Sequence, residues 1–88
     1  MKDCKITFIG GGNMANSLIG GLIADGFNAE HIHVADADPV RLQSLSDKYA
    51  VHTHSDNLKA ITQSSVVILA IKPQQLQEVI KQLSPQWQ

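Results

Sequence analysis

The sequence has 88 residues, fewer than the roughly 100–150 of an average domain, so we expect a single domain. Seven Lys and Arg against eight Asp and Glu give a formal net charge of −1, which argues against binding to nucleic acid or to an anionic membrane. Cys4 is the only cysteine, which excludes an internal disulfide and favours a cytoplasmic protein. The longest apolar run, residues 66–71, is too short for a signal peptide or a membrane span.

Short runs of β-forming residues alternate with amphipathic helical runs along the chain, with no linker or repeat between them. The predicted strands lie at residues 5–9, 31–35, 51–53 and 65–71, and the predicted helices at residues 13–25, 39–49, 56–63 and 73–83. We therefore predict an α/β fold, a Rossmann-type doubly wound parallel sheet with strand order 3-2-1-4, truncated after the fourth strand–helix unit. Residues 1–88 would form one domain.

Glycines, a proline and an apolar run predict how several elements end and pack. Gly26 follows the first helix, where a left-handed residue is favoured, and Ser84-Pro85 is expected to end the last helix. Gly20 and Gly21 are interpreted as points of close contact between the first helix and the sheet, since each costs a helix about 1 kcal/mol relative to Ala. Residues 65–71 are continuously apolar, which predicts a strand covered on both faces.

The first strand runs directly into a sequence that matches the dinucleotide-binding pattern G-x-G-x-x-G/A: Gly10-Gly11-Gly12-Asn13-Met14-Ala15. Gly10 would form the tight turn, and Gly12 would let the backbone approach a pyrophosphate because it has no Cβ. The helix N-terminus at Asn13 and Met14 would hold the phosphates through its free N–H groups and its dipole. Gly10, Gly11, Gly12, Asn13 and Met14 are therefore predicted cofactor-binding residues, and the alternative is a turn that merely needs glycine.

Asp36 ends the second predicted strand, 24 positions beyond Gly12. A carboxylate at this place can accept hydrogen bonds from both hydroxyls of the adenosine ribose, and it would repel a 2′-phosphate. Arg41 is close enough in sequence to bind such a phosphate, or it lies on a solvated helix face. Asp38 is interpreted as the N-cap of the second helix. These residues favour NADH and leave NADPH open.

A second predicted cofactor-binding segment, Ala70-Ile71-Lys72-Pro73, ends the fourth strand. In an open α/β sheet, ligands bind outside the carboxyl ends of the strands where the strand order reverses, which places this segment opposite the glycine loop, Gly10–Gly12. Pro73 also begins the last helix and keeps Lys72 extended. Asn57, beyond the third strand, either offers its amide to the cofactor or caps the next helix.

The four histidines form two H-x-H pairs, His31/His33 and His52/His54. Members of such a pair share one face of a strand, but the pattern shows neither a further ligand nor supporting residues, so we predict no metal site. The histidines are interpreted as surface or edge-strand residues. Cys4 is interpreted as a small apolar residue, because no basic partner is evident.

The segments Phe8–Ala15 and Ala70–Gln74, together with Leu22, resemble the N-terminal domain of the pyrroline-5-carboxylate reductases, and the resemblance covers the whole chain. It implies reduction of the cyclic imine 1-pyrroline-5-carboxylate to L-proline with NADPH or NADH, and it implies that Asn57 contacts the cofactor. The family's full chains are considerably longer, and a second, helical domain, absent here, supplies the dimer interface and most of the substrate site. We therefore name no catalytic residue, expect homo-oligomers through that domain, and expect this chain alone to be inactive.

Several alternatives remain at this point. Family members often carry Ser or Thr near the position of Asp36, and many prefer NADPH, so the resemblance leaves the cofactor open. Reductases dependent on deazaflavin F420 share the fold, as do β-hydroxyacid dehydrogenases, which usually show Gly-x-Met-Gly where this chain has Gly12-Asn13-Met14-Ala15. A dinucleotide sensor or interaction domain without chemistry is the alternative from a different functional class.

Overall fold

The structure, a computed structural model, describes residues 4–87, with side chains through residue 81. Strands and helices alternate along the chain, and one short 3₁₀ turn precedes the second strand. The elements are β1 (Ile6–Ile9), α1 (Asn13–Ala24), the 3₁₀ turn (Ala29–His31), β2 (Ile32–Ala35), α2 (Pro39–Tyr49), β3 (His52–His54), α3 (Asn57–Ile61), β4 (Val66–Leu69) and α4 (Pro73–Trp87).

The four strands form one parallel sheet in the order β3-β2-β1-β4, which confirms the predicted fold class and strand order. Phe8 in β1 pairs with Val34 in β2 and with Ile68 in β4. The strands β2 and β4 are therefore in the same register relative to β1. Because all four strands are parallel, their carboxyl ends lie at the same end of the sheet. The glycine loop follows β1 at this end.

Apolar side chains pack on both faces of the sheet, as a doubly wound fold requires. On one face, Phe8 and Val34 pack with Ile19 of α1 and Leu45 of α2. On the other face, the buried residues come from β1, β2, α3 and α4: Ile9, Ala35, Ala60, Ile61 and Val79. Thr7 is fully buried in β1, and its hydroxyl lies 3.0 Å from the Ala60 carbonyl oxygen to which it donates, so its burial is compensated by a hydrogen bond.

Local sequence explains the ends of the first two helices. Asp38 caps α2 as predicted, because its carboxylate accepts a hydrogen bond from the Val40 N–H at 2.9 Å. Gly26 follows α1 with a φ of 95°, the left-handed conformation predicted for it. This turn lets the Phe27 N–H donate to the Leu22 carbonyl oxygen at 2.9 Å, which satisfies one of the free carbonyl groups at the helix end.

The fourth strand, whose apolar run predicts covering on both faces, is covered only in part by the described residues. Val66, Val67 and Ile68 are half-buried, and Leu69 is 37% exposed. β4 is an edge strand, and a groove between it and α1 remains open beside Ile68. A continuous apolar run identifies a strand of the buried type, and within the described residues β4 has a neighbouring strand, β1, on one side only.

Several predicted boundaries also differ from the structure. His31 belongs to the 3₁₀ turn rather than to β2, and β3 lies one residue later than predicted. The prediction that Ser84-Pro85 ends the last helix is wrong, since α4 continues to Trp87. A proline inside a helix removes one backbone hydrogen bond and its ring crowds the carbonyl four residues earlier, which can kink the helix without ending it. Within residues 4–87, no helix is both long and apolar enough to span a membrane.

The predicted contact of Gly20 with the sheet is wrong, because this glycine faces α2. A Cβ at Gly20 would lie 2.8 Å from the Tyr49 hydroxyl oxygen. Gly21 has no described atom within 4 Å of a Cβ position and lines the open groove beside β4. Of these two glycines, only Gly20 is therefore required for close packing, and its contact joins α1 to α2.

Candidate functional site

A crevice of about 880 Å³ lies at the carboxyl ends of β1, β2 and β4. Its volume falls within the roughly 300–1,000 Å³ typical of ligand sites. The structure brings ten of the eleven predicted cofactor-binding residues to its wall: Gly10, Gly11, Gly12, Asn13, Met14, Asp36, Asn57, Ala70, Ile71 and Lys72. Pro73 begins α4 and is not among the described lining residues.

Gly10 joins the two sides of the crevice. Its φ is 106°, and a Cβ at this position would collide with the Ala70 carbonyl oxygen and lie 3.0 Å from the Ile71 Cγ2. The Gly10 N–H donates to the Ala35 carbonyl oxygen at 2.7 Å, so the turn is fixed to β2 as well. Glycine is required here for both its backbone conformation and the close approach of β4.

Gly12 and the N-terminus of α1 face the crevice with open space beside them. No described atom lies within 4 Å of a Cβ built at Gly12, and no described side chain caps α1. The first-turn N–H groups of a helix have no partner within the helix, so those at Asn13 and Met14 can donate to an anion. Met14 is 53% exposed. This arrangement fits a bound pyrophosphate, because it combines free donors with room for the phosphates.

Asp36 holds the glycine loop and the β2–α2 loop together. Its Oδ2 accepts a hydrogen bond from the Gly11 N–H at 2.7 Å, and its Oδ1 accepts one from the Asp38 N–H at 2.8 Å. The side chain is only 10% exposed. A carboxylate has about four acceptor positions, so two bonds from the backbone leave capacity for ribose hydroxyls.

Arg41 points back from α2 towards Asp36 and Asp38. Its Nη1 lies 3.6 Å from the Asp36 Oδ2, and its Nε lies 3.8 Å from the Asp38 Oδ2. The Arg41 side chain is 57% exposed and lines the crevice. The structure therefore supports the first interpretation of Arg41, in which this residue lies at the crevice, and not the second, in which it only lies on a solvated helix face.

The far wall of the crevice is formed after β3 and β4. Asn57 lines it as the first residue of α3, and the cap of that helix is Asp56, which accepts the Leu58 N–H at 2.9 Å. The alternative of Asn57 as the capping residue is therefore wrong. Lys72 lines the crevice between β4 and α4, where its N–H donates to the Gln75 Oε1 at 3.3 Å.

The sequence did not single out several residues that the structure places in the lining of the crevice: Asn16, Val40, Ser44, Leu45, Gln75 and Val79. Asn16 lies in α1, and its Oδ1 accepts a hydrogen bond from the Tyr49 hydroxyl at 2.8 Å. The signal available for Asn16 was its place in the first turns of the helix that follows the glycine motif. Its partner Tyr49, 33 positions away, has no such signal.

The histidines form a separate cluster across β2 and β3. His33 Nδ1 and His54 Nε2 lie 2.8 Å apart and share a hydrogen bond, and the His33 ring stacks on His52 at a centroid distance of 4.6 Å. Burial, and next the charge of Lys5, lower the pKa of His33 to about 4. Within residues 4–87, no group of three His, Cys, Asp or Glu is arranged to hold a metal ion.

Comparison with known proteins identifies relatives that match most of the chain. A pyrroline-5-carboxylate reductase of Vibrio alginolyticus is 39% identical over 83 residues, which are 94% of this chain and 30% of the relative. The structure of a pyrroline-5-carboxylate reductase of Coxiella burnetii matches with a TM-score of 0.90 and 40% identity, over 93% of this chain and 30% of that one. The resemblance deduced from the glycine and Lys-Pro motifs is thus confirmed.

A more distant structure shows the fold alone. The prephenate dehydrogenase of A. aeolicus, solved in complex with hydroxyphenyl propionate and NAD⁺, matches with a TM-score of 0.79 and 22% identity, over 91% of this chain and 28% of that one. The chain spans about 30% of the length of the curated relatives that it matches. The sequence profile of a protein family matches residues 5–88. The chain therefore belongs to the family described as NADP oxidoreductase, coenzyme F420-dependent.

Proposed function

We propose that this chain forms the dinucleotide-binding part of a pyrroline-5-carboxylate reductase, whose reaction reduces 1-pyrroline-5-carboxylate to L-proline with NADH or NADPH. The observation that carries this proposal is one crevice that unites the glycine loop, Asp36, Asn57 and the segment before α4, in a fold shared with the Coxiella burnetii reductase. When bound, the reduced nicotinamide supplies the hydride. The residues of this chain bind and orient the cofactor.

Each wall of the crevice has a different task in the proposed arrangement. The N–H groups at Asn13 and Met14 bind the pyrophosphate, which approaches over Gly12. Asp36 accepts hydrogen bonds from the adenosine ribose. Lys72 and its neighbours Ala70 and Ile71 lie across the crevice from the glycine loop, where they position the nicotinamide end, and Asn57 adds an amide. Pro73 contributes by beginning α4 directly after Lys72.

The remaining functions belong to the part of the relatives that this chain does not span. Residues 1–88 act as one dinucleotide-binding domain. Imino-acid binding, the positioning of substrate against the cofactor and homo-oligomer formation are assigned to the other domain. The proposed location is the cytoplasm, in keeping with a single cysteine.

Cofactor binding is tested by titrating the chain with NADH and NADPH and following nicotinamide fluorescence. Gly12→Val should weaken binding at least tenfold, because its side chain would occupy the space through which the pyrophosphate approaches. Gly21→Val is the matched control: Gly21 also has no described atom within 4 Å of a Cβ, but it lies in α1 outside the crevice lining. Equal affinity of the Gly12→Val and Gly21→Val variants would contradict the proposed site.

The reaction is tested with a chimera in which this chain replaces the matching segment of the Vibrio alginolyticus reductase. The chimera should oxidise NADH or NADPH in the presence of 1-pyrroline-5-carboxylate, and Gly12→Val within it should abolish the reaction.

The description of the matched family favours a second candidate, an F420-dependent NADP oxidoreductase. A chimera that folds and binds NADPH but does not reduce 1-pyrroline-5-carboxylate would favour this second candidate.

A further inference from the structure

Three charged side chains meet where β2 ends and α2 begins, and they set the local charge of the crevice. Asp36 and Asp38 carry two negative charges, and Arg41 carries one positive charge between them. The two distances from Arg41, 3.6 and 3.8 Å, exceed those of good hydrogen bonds, so the guanidinium is attracted to both carboxylates without being fixed to either. The group as a whole has an excess of one negative charge.

Asp36 cannot turn away from this end of the crevice without breaking bonds. Its two oxygens accept the N–H groups of Gly11 and Asp38 at 2.7 and 2.8 Å, and both donors belong to the loops that form the wall. An adenosine ribose with a free 2′-hydroxyl can donate to such a carboxylate. A ribose with a 2′-phosphate brings about two negative charges to a fixed negative charge.

Asp38 has two separable roles. Its Oδ1 caps α2 by accepting the Val40 N–H at 2.9 Å, a role that Asn or Ser can also perform. Its negative charge is not needed for the cap, and it adds to the attraction that holds Arg41 near the carboxylates. Without that charge, Arg41 would be held by Asp36 alone and could turn its guanidinium to a phosphate, with which it forms paired hydrogen bonds.

We propose that Asp38 is a specificity-determining residue, whose charge acts through Arg41 to make the crevice prefer NADH to NADPH. The proposal rests on the proposed dinucleotide-binding function and deepens it. Asp38 needs no contact with the cofactor for this effect. It decides whether the cation at the adenosine end is neutralised by the protein or available to a 2′-phosphate.

The test compares the affinities of the wild-type chain and the Asp38→Asn variant for NADH and NADPH. Wild type should bind NADH more tightly, and Asp38→Asn should bind NADPH about tenfold more tightly than wild type, with less than a twofold change for NADH. The gain should fall as salt is added, since it depends on an exposed cation. Asp38→Ser, which also keeps the cap, should show the same change if Asp38→Asn is poorly folded.

Two control variants separate this effect from others. Asp47→Asn removes the same charge from α2 at a residue outside the crevice lining and should leave the NADPH affinity unchanged. Adding Arg41→Gln to Asp38→Asn should cancel the gain. An equal gain in Asp47→Asn, a gain that survives Arg41→Gln, or a wild type that prefers NADPH would overturn the proposal. Failure of wild type to bind either cofactor would instead refute the proposed function.

Discussion

Gly10→Ala tests whether the turn after β1 depends on glycine for the fold itself. The backbone at Gly10 has a φ of 106°, and an added Cβ would collide with the Ala70 carbonyl oxygen. Placing a residue with a Cβ at such a φ costs about 1–2 kcal/mol, and moving the end of β4 away adds a similar amount. We therefore expect a loss of about 2–4 kcal/mol in the free energy of unfolding, a large part of the stability of a small domain.

Gly12→Ala is the matched control, two residues further along the same loop. Its backbone φ of −81° suits any residue, and no described atom lies within 4 Å of its Cβ position. Urea unfolding followed by circular dichroism should show a change below about 0.5 kcal/mol for this variant. In NADH titrations of the folded proteins, the larger loss of affinity should come from Gly12→Ala and the smaller loss from Gly10→Ala. Equal unfolding midpoints for the two variants would refute the assignment of Gly10 to the fold.

The remaining predictions concern the histidine cluster and the contact between the first two helices. Because His33 has a pKa of about 4 when folded and an ordinary value of 6.5, its neutral form contributes stability that is complete above pH 6.5 and is lost as the pH falls towards 4. With allowance for screening of a half-buried group, we expect a loss of about 1–2 kcal/mol, which urea unfolding should show in wild type but not in His33→Gln. Parallel pH profiles would contradict this assignment. Gly20→Ala should leave the wild-type stability unchanged or lower it, because the added Cβ would press on the Tyr49 hydroxyl. In a Tyr49→Phe background, the same substitution should stabilise the fold by about 1 kcal/mol, because Ala favours the helix over Gly. Thermal unfolding measures both effects. A gain of the same size in both backgrounds would show that this contact is not close.

The alternation of elements and the position of the loop could be predicted from local sequence. β1 is a short β-forming run that ends abruptly at three glycines, and α1 repeats apolar residues at helical spacing. Asp38 was recognisable as a cap because a short acidic side chain precedes Pro39, a favoured first residue of a helix. These features depend on neighbours within a few positions, which a single sequence contains.

Contacts between distant segments could not be predicted in the same way. The packing of Gly20 depends on Tyr49, which belongs to another helix, and the sequence offers no sign of this pair. The exposure of Leu69 depends on which strands complete the sheet. Asp36 was predicted from its place at the end of β2, but its hydrogen bond to Gly11 appears only once the two loops lie side by side.

The floor of the crevice is made from the same backbone hydrogen bonds that join the strands. At the carboxyl ends, the Gly10 N–H donates to the Ala35 carbonyl oxygen at 2.7 Å and the Ala70 N–H donates to the Ile9 carbonyl oxygen at 2.8 Å. Both walls are therefore fixed relative to β1 as soon as the central sheet forms, and Asp36 then attaches the glycine loop to β2. Every described group that lines the crevice lies within these four strand–helix units, so their folding assembles the crevice that we propose binds the cofactor. In the proposed function, cofactor binding therefore relies on this sheet and its loops.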